Sequence, residues 1–240
     1  PNKLTINNEE YVVQSVENNA FRGCISLTSI DIPDSVKSIG EYAFYNCIKL
    51  NSVTIGNGSE TTIGEYAFLM CTKLNSVQIG NSVKSIGVGA FQKCSSLTSI
   101  TIPDSVTSIG EFAFNETELI SINIPKSVTS IGKGAFSGCG AWNKEIVSSL
   151  TSITVKEGNR KYHSESNCLI ETKSKTLIAG CKTSVIPSSV TSIGDCAFLN
   201  CYSLTSIDIP DSVTSIGSDA FRGCKSLTSI NIPDSVTSIG

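Results

Sequence analysis

Apolar residues recur along this chain at a spacing that fits neither a long helix nor a simple hairpin. In Ile207-Asp208-Ile209 they alternate, which puts both isoleucines on one side of a short strand. Pro210 follows, has no N–H and blocks further pairing there. Val213 and Ile216, three apart, bracket a second short extended piece. Gly217 then permits a sharp turn or a left-handed backbone. Ala220-Phe221 open what reads as a helical turn closing the coil. The expected order is strand, turn, short strand, turn.

This pattern repeats. Its phenylalanine falls at Phe21, Phe44, Phe68, Phe91, Phe114, Phe136, Phe198 and Phe221, in steps of 23, 24, 23, 23, 22, 62 and 23 residues. Each follows an alanine. Seven of the eight have cysteine three residues later, and the exception is Thr117. The unit reads L-x-x-I-x-I-P-x-S-V-x-x-I-G-x-x-A-F-x-x-C-x-x. One such unit buries too little apolar surface to offset the entropy of ordering its own backbone. Stacked units share a core and satisfy one another's strand hydrogen bonds, which is the logic of a solenoid. At about 4.8 Å per coil, eight coils make a body roughly 40 Å long.

The registered A-F-x-x-C copies resemble the leucine-rich repeat of the BspA type, also called the Treponema pallidum type. The matching residues are cleanest over 27–139 and 185–240. The resemblance implies a mainly β repeat solenoid: a curved, right-handed leucine-rich-repeat superhelix. It would have a parallel concave sheet, short convex strands and turns, and one hairpin island. It also implies a cell-surface or secreted protein that attaches to host matrix proteins or to other microbes.

Residues 1–240 read as a single solenoid. Residues 1–20 form an irregular N-terminal coil or cap, 21–139 and 185–240 are regular repeats, and 140–184 are an irregular insert. The last repeat stops at Ile239-Gly240, where Ala-Phe is expected next, so a longer natural protein, monomeric in this fragment, is expected. Within the insert, Cys168-Leu169-Ile170 and Thr176-Leu177-Ile178 flank 172–175 and read as a hairpin. It is either a structural hairpin covering the convex side or an edge, or a binding loop projecting from a monotonous scaffold. Trp142, Tyr162 and His163 are its candidate surface residues.

Composition narrows the function classes. Net charge is −3, which gives no argument for nucleic acid or an anionic membrane. No apolar run approaches the roughly 20 residues that span a bilayer. Ten cysteines are present, but no C-x-x-C pair points to a metal. The ladder cysteines are read as free, buried thiols, and Cys168 and Cys181 could bridge the hairpin. Asp211 and Asp234 occupy equivalent places on adjacent coils, either as a calcium site or as turn residues bonding their own backbone. His163 is the only histidine: a general-base candidate on paper, it sits in a polar insert beside Arg160 and Lys161 and reads as a solvated surface residue, with only proximity in sequence to pair it with Cys168 as a nucleophile. The glycines recur singly, so no phosphate-binding loop and no cofactor is expected. Asn57-Gly58-Ser59 and Asn115-Glu116-Thr117 would accept glycans only in a eukaryotic secretory route.

The outward residues of the I-x-I strands are the candidate binding row: Asp31, Thr54, Gln78, Thr101, Asn123, Thr154, Asp208 and Asn231. Serine stands two residues before each of them. Such a field suits polar, multivalent contact with a protein or glycan, although hydroxyl ladders that merely satisfy one another have the same pattern. Two functions remain in view, a cell-surface adhesion or ligand-binding module and a structural spacer. Neither is an enzyme.

Overall fold

The computed structural model describes residues 3–6, 9–58, 60–139 and 150–240. Among them there is no α-helix, and the chain is a β-solenoid of stacked coils. Two strand ladders run along it. The Ser-Ile strands build the longer one, in which Ser15–Val16, Ser38–Ile39, Thr62–Ile63, Ser85–Ile86, Ser108–Ile109 and Ser130–Ile131 form one parallel six-stranded sheet. The I-x-I strands were expected to make the main sheet, but they pair in pieces. Ser29–Ile32, Ser52–Ile55 and Ser76–Gln78 form one piece, and Ser121–Ile124 with Ser152–Val155 another. Near the end only the bridge Asp208↔Asn231 remains.

Proline explains the breaks. The N–H that follows each I-x-I strand can donate to the last isoleucine carbonyl of the preceding coil. Gly56 does so to Ile32 at 2.9 Å and Lys156 to Ile124 at 2.9 Å, and these coil pairs are fully laddered. Pro103, Pro125 and Pro233 have no N–H to give, and none of the coils they end is paired to the coil before it beyond a single bridge.

The Ala-Phe segment forms no helix. Its N–H groups alternate in direction. Tyr42, Phe44 and Asn46 donate to Glu65, Ala67 and Leu69 of the next coil, whereas Ala43, Tyr45 and Cys47 donate three residues back within their own. The alternation requires a left-handed residue two before and two after each phenylalanine, as at Tyr42 (φ 53°) and Asn46 (φ 59°). Of the sharp turn or left-handed backbone expected of Gly217, the repeat glycine does not take the left-handed form. A Cβ there would meet the neighbouring coil's backbone: at Gly87, the Gly64 carbonyl carbon at 2.7 Å. Glycine is needed there for close approach.

The core follows the repeat. Phe44, Phe68, Phe91 and Phe114 are fully buried and stack with neighbouring rings at centroid distances of 5.1 to 5.8 Å, nearly parallel, from Phe21 to Phe136. Phe198 and Phe221 continue the stack beyond the insert. The insert holds the expected hairpin, Cys168–Glu171 against Thr176–Ala179, plus an unforeseen third strand, Tyr162–Glu165. Rather than covering a surface, it sits inside the stack. Thr176–Ala179 pairs in parallel with Ser192–Ile193 and starts the second run of the Ser-Ile ladder. Leu169 packs into the core on the N-terminal side, Cys168 and Ile170 into the core on the C-terminal side. Strand alternation turns the hairpin into a septum between two cores.

Candidate functional site

Five of the eight candidate residues, Asp31, Thr54, Gln78, Asn123 and Thr154, are positioned by the pleat of the I-x-I strands, which buries the flanking apolar side chains and turns the middle one outward. Ile30-Asp31-Ile32 and Ile122-Asn123-Ile124 show the alternation in their exposure. Asp31, Thr54 and Gln78 are register partners on three successive coils, and Asn123 and Thr154 on two. Asp208 pairs with Asn231. Thr101 is exposed but lies outside any strand. The expected mutual satisfaction of side chains is sparse among the described residues: Thr154 Oγ1 donates to Asn123 Oδ1 at 3.3 Å. The other side chains of the row face solvent, apart from half-buried Thr54.

Beside this row lies an open polar groove of about 410 Å³, bounded by Asp34, Thr54, Asn57 and Gln78 and floored by Gly56 and Gly80. Here Gly-Asn replaces the usual Pro-Asp. The carboxylate of Asp34 accepts the Asn57 N–H at 2.6 Å, and Asn57 Oδ1 accepts the Asn81 N–H at 2.7 Å. Asp34 thus caps the next coil's turn rather than its own backbone. Asp104 makes an ion pair with Lys156 at 2.9 Å. Among the described residues no group of three or more His, Cys, Asp or Glu side chains is arranged for a metal ion.

The insert contributes less surface than expected. Tyr162 is buried, and its hydroxyl accepts the Ile131 N–H at 3.0 Å, which caps the open edge of the first Ser-Ile sheet. The aromatic ring belongs to the septum, so it is unavailable to a ligand. His163 is half-exposed, with Nδ1 2.9 Å from Thr172 Oγ1. Trp142 lies outside the described residues. Cys168 is fully buried and burial pushes its thiol up to about 12, the wrong state for a nucleophile. Asn115 is also buried, donating to Ser137, so the Asn115-Glu116-Thr117 sequon is closed in the folded chain.

All ten cysteines are free thiols. Those of the ladder are more than apolar filling: Cys47, Cys71 and Cys94 donate to the phenylalanine carbonyl of the preceding coil at 3.1 to 3.2 Å. Cys24 is exposed, and Cys201 and Cys224 are half-buried. Burial pushes Cys139 up to about 12 and Cys224 up to about 11, from an ordinary 9.0.

Sequence reasoning missed one cluster. Arg22, Tyr42, Tyr45 and Tyr66 come together on the turn after the Ser-Ile strands. Tyr42 and Tyr66 stack at 5.0 Å, and the Arg22 guanidinium lies 4.9 Å above the Tyr45 ring. The signal was present in Glu41-Tyr42-Ala43-Phe44 and Glu65-Tyr66-Ala67-Phe68, but attention to the inward phenylalanine hid the outward tyrosine.

The profile of the BspA type leucine rich repeat region matches residues 14–143, 61–176 and 178–240, with six copies. The chain belongs to the BspA-type leucine-rich repeat family. Among solved structures, this BspA-type chain is similar to a leucine-rich cell-surface protein of Faecalibacterium prausnitzii A2-165. Identity is 32% over 100% of this chain and 76% of that one, with a TM-score of 0.64. A leucine-rich repeat protein of Eubacterium ventriosum ATCC 27560 is 31% identical over 89% of this chain and 56% of that one, with a TM-score of 0.78. The pneumococcal vaccine antigen PcpA, at 20% identity and a TM-score of 0.69, shares the fold; the match covers 98% of this chain and 60% of that one. No match was found among the curated proteins. In BspA-type terms, the groove and the I-x-I row lie on the repeats themselves, and the insert is part of their core.

Proposed function

We propose that this chain is a non-catalytic ligand-binding module of a bacterial cell-surface or secreted protein, attaching to a protein or glycan through its I-x-I face. One observation carries the reading: Asp31, Thr54 and Gln78 stand in register on adjacent coils and border a polar groove. Small hydroxyl, amide and carboxylate groups at a fixed spacing suit a polar, repetitive ligand, and repetition adds avidity where single contacts are weak. The cell-surface description of the Faecalibacterium protein supports the location. The partner expected is a host matrix protein or a microbial surface protein or glycan.

The uninterrupted ring stack from Phe21 to Phe136 favours a second reading, a rigid spacer that holds another domain away from a surface. A panel of glycans and matrix proteins separates the two. Binding that is lost in the T54A/Q78A variant supports the module. No binding by this chain, with binding by neighbouring segments of the same protein, supports the spacer.

A further inference from the structure

The left-handed position two residues before each phenylalanine is occupied in four coils by Asn19, Gly89, Gly134 and Asp219, residue types that accept such a backbone, and in a fifth by the small Cys196. In three coils it holds a large aromatic instead: Tyr42, Tyr66 and Phe112, with φ of 53°, 54° and 54°. Strained residues of this kind cluster where function selects them. The rings are half-exposed on the turn that follows the Ser-Ile strands; Tyr42 and Tyr66 stack on adjacent coils at 5.0 Å, and the Gly89 coil lies between Tyr66 and Phe112. Neighbouring glycines make room for them. A Cβ on Gly89 would meet the Tyr66 ring at 2.4 Å, and one on Gly134 the Phe112 ring at 2.5 Å.

Each aromatic is preceded by an exposed carboxylate: Glu41, Glu65 and Glu111. All three act on the Tyr66 hydroxyl, which burial first, then Tyr42 and these carboxylates, hold above its ordinary range. Lys133 approaches Glu111 at 3.8 Å; Glu41 and Glu65 have no cationic partner among the described residues. The row already receives one cation in cis. The Arg22 guanidinium lies over Tyr45 at 4.9 Å and Tyr42 at 5.8 Å.

We propose that the aromatic–carboxylate row of Tyr42, Tyr66, Phe112, Glu41, Glu65 and Glu111 is a docking site for an extended, arginine- or lysine-rich segment of a partner protein. The charges are complementary, and the ring faces attract cations, the planar guanidinium above all. An extended segment crossing the coils presents same-side residues about 6.6–6.8 Å apart, so three of them span about 13 Å, close to the roughly 14 Å that three coil steps of about 4.8 Å put between Tyr42 and Phe112. Arg22 shows the pose that a partner's arginine adopts. Tyrosine and arginine are also the residue types that dominate binding energy at protein interfaces.

The test measures fluorescence anisotropy of a short labelled peptide alternating arginine and serine, titrated with the full 240-residue chain at about 0.15 M salt. A citrulline version of the peptide is the neutral control. Y42N/Y66N removes two rings while placing asparagine where the left-handed backbone suits it. E41Q/E65Q removes two charges with no change of shape. D31N/D208N removes two carboxylates from the I-x-I row. Each site variant should weaken binding on the order of tenfold, the D31N/D208N variant less than about twofold, and the citrulline peptide should not bind. Three results would overturn the proposal: no binding by the native chain, equal losses in E41Q/E65Q and D31N/D208N, or undiminished binding by a folded Y42N/Y66N. Should Y42N/Y66N fail to fold, E41Q/E65Q against D31N/D208N decides. Because the I-x-I variants are scored separately, loss of this site leaves the module reading standing, and the reverse.

Discussion

Single residues carry the stack through contacts with their own copies one coil away. Gly87 shows this most sharply. A methyl there would lie 2.7 Å from the Gly64 carbonyl carbon and 2.8 Å from the Glu65 nitrogen, both of them backbone and unable to swing aside. Gly87→Ala should therefore destabilise the chain by about 1–3 kcal/mol or more, as overpacking does, seen as a lower denaturant midpoint. The ladder cysteines act through their protons. Cys139 and Cys224 are raised to about 12 and about 11 from 9.0 because burial disfavours the thiolate. Above pH 9 the unfolded chain gives up these protons and the folded chain keeps them, so the folded state binds more protons and its stability falls with pH. The contribution is fully present below pH 9 and lost as pH climbs through about 11 to 12. Urea unfolding at neutral pH and at pH 10.5 should show the loss, and C139S should reduce its slope. A flat profile would contradict the burial of these thiols. Unfolding without reductant should release ten titratable thiols, with Cys24 alkylated first in the folded chain.

Elements were legible in the sequence where burial writes a pattern and illegible where stacking overrides local preference. The Ile-x-Ile and Val-x-x-Ile spacings located both strands of the coil, and the phenylalanine fixed the register that the ring stack displays. Nothing local marks Tyr42, Met70, Lys93 or Phe112 as left-handed. Their φ is set by the need to aim alternate N–H groups at the next coil, a requirement that exists only once coils are stacked. The same holds at the candidate site. The outward row could be read from alternation, but the groove depends on Gly56 and Gly80 of different coils, and the septum on Tyr162 reaching Ile131, 31 residues away. That last contact gives a prediction at this scale. Tyr162→Phe keeps the ring and removes the acceptor, so the Ile131 N–H loses its partner at the sheet edge. A cost of about 1–3 kcal/mol is expected, with faster hydrogen exchange at Ile131. Unchanged exchange there would mean the hydroxyl is not the cap.

At the scale of the whole molecule, each coil's partners are its two neighbours, and identity between coils makes those neighbours exchangeable. Ser85 is paired on one side with Thr62 and on the other with Ser108, and the same atoms are offered by each. Removing residues 88–110, one period, joins Gly87 to Glu111 and brings Ser130 where Ser108 stood. The Phe68 ring then meets Phe114 in place of Phe91, and Gly64 and Gly87 keep the close approach their bare Cα atoms allow. In a nearest-neighbour array this deletion lowers the total unfolding free energy by one coil and one interface while leaving the fold intact. Removing 88–107 instead shifts the register by three residues. It drives Phe114 out of the ring stack, faces Gly87 with a side chain, and turns inward isoleucines toward solvent. The first variant should unfold cooperatively with a modestly lower midpoint, and the second should fail to fold or aggregate. Equal behaviour of the two would mean that stability comes from within each coil, and the shared core would no longer explain the repeats.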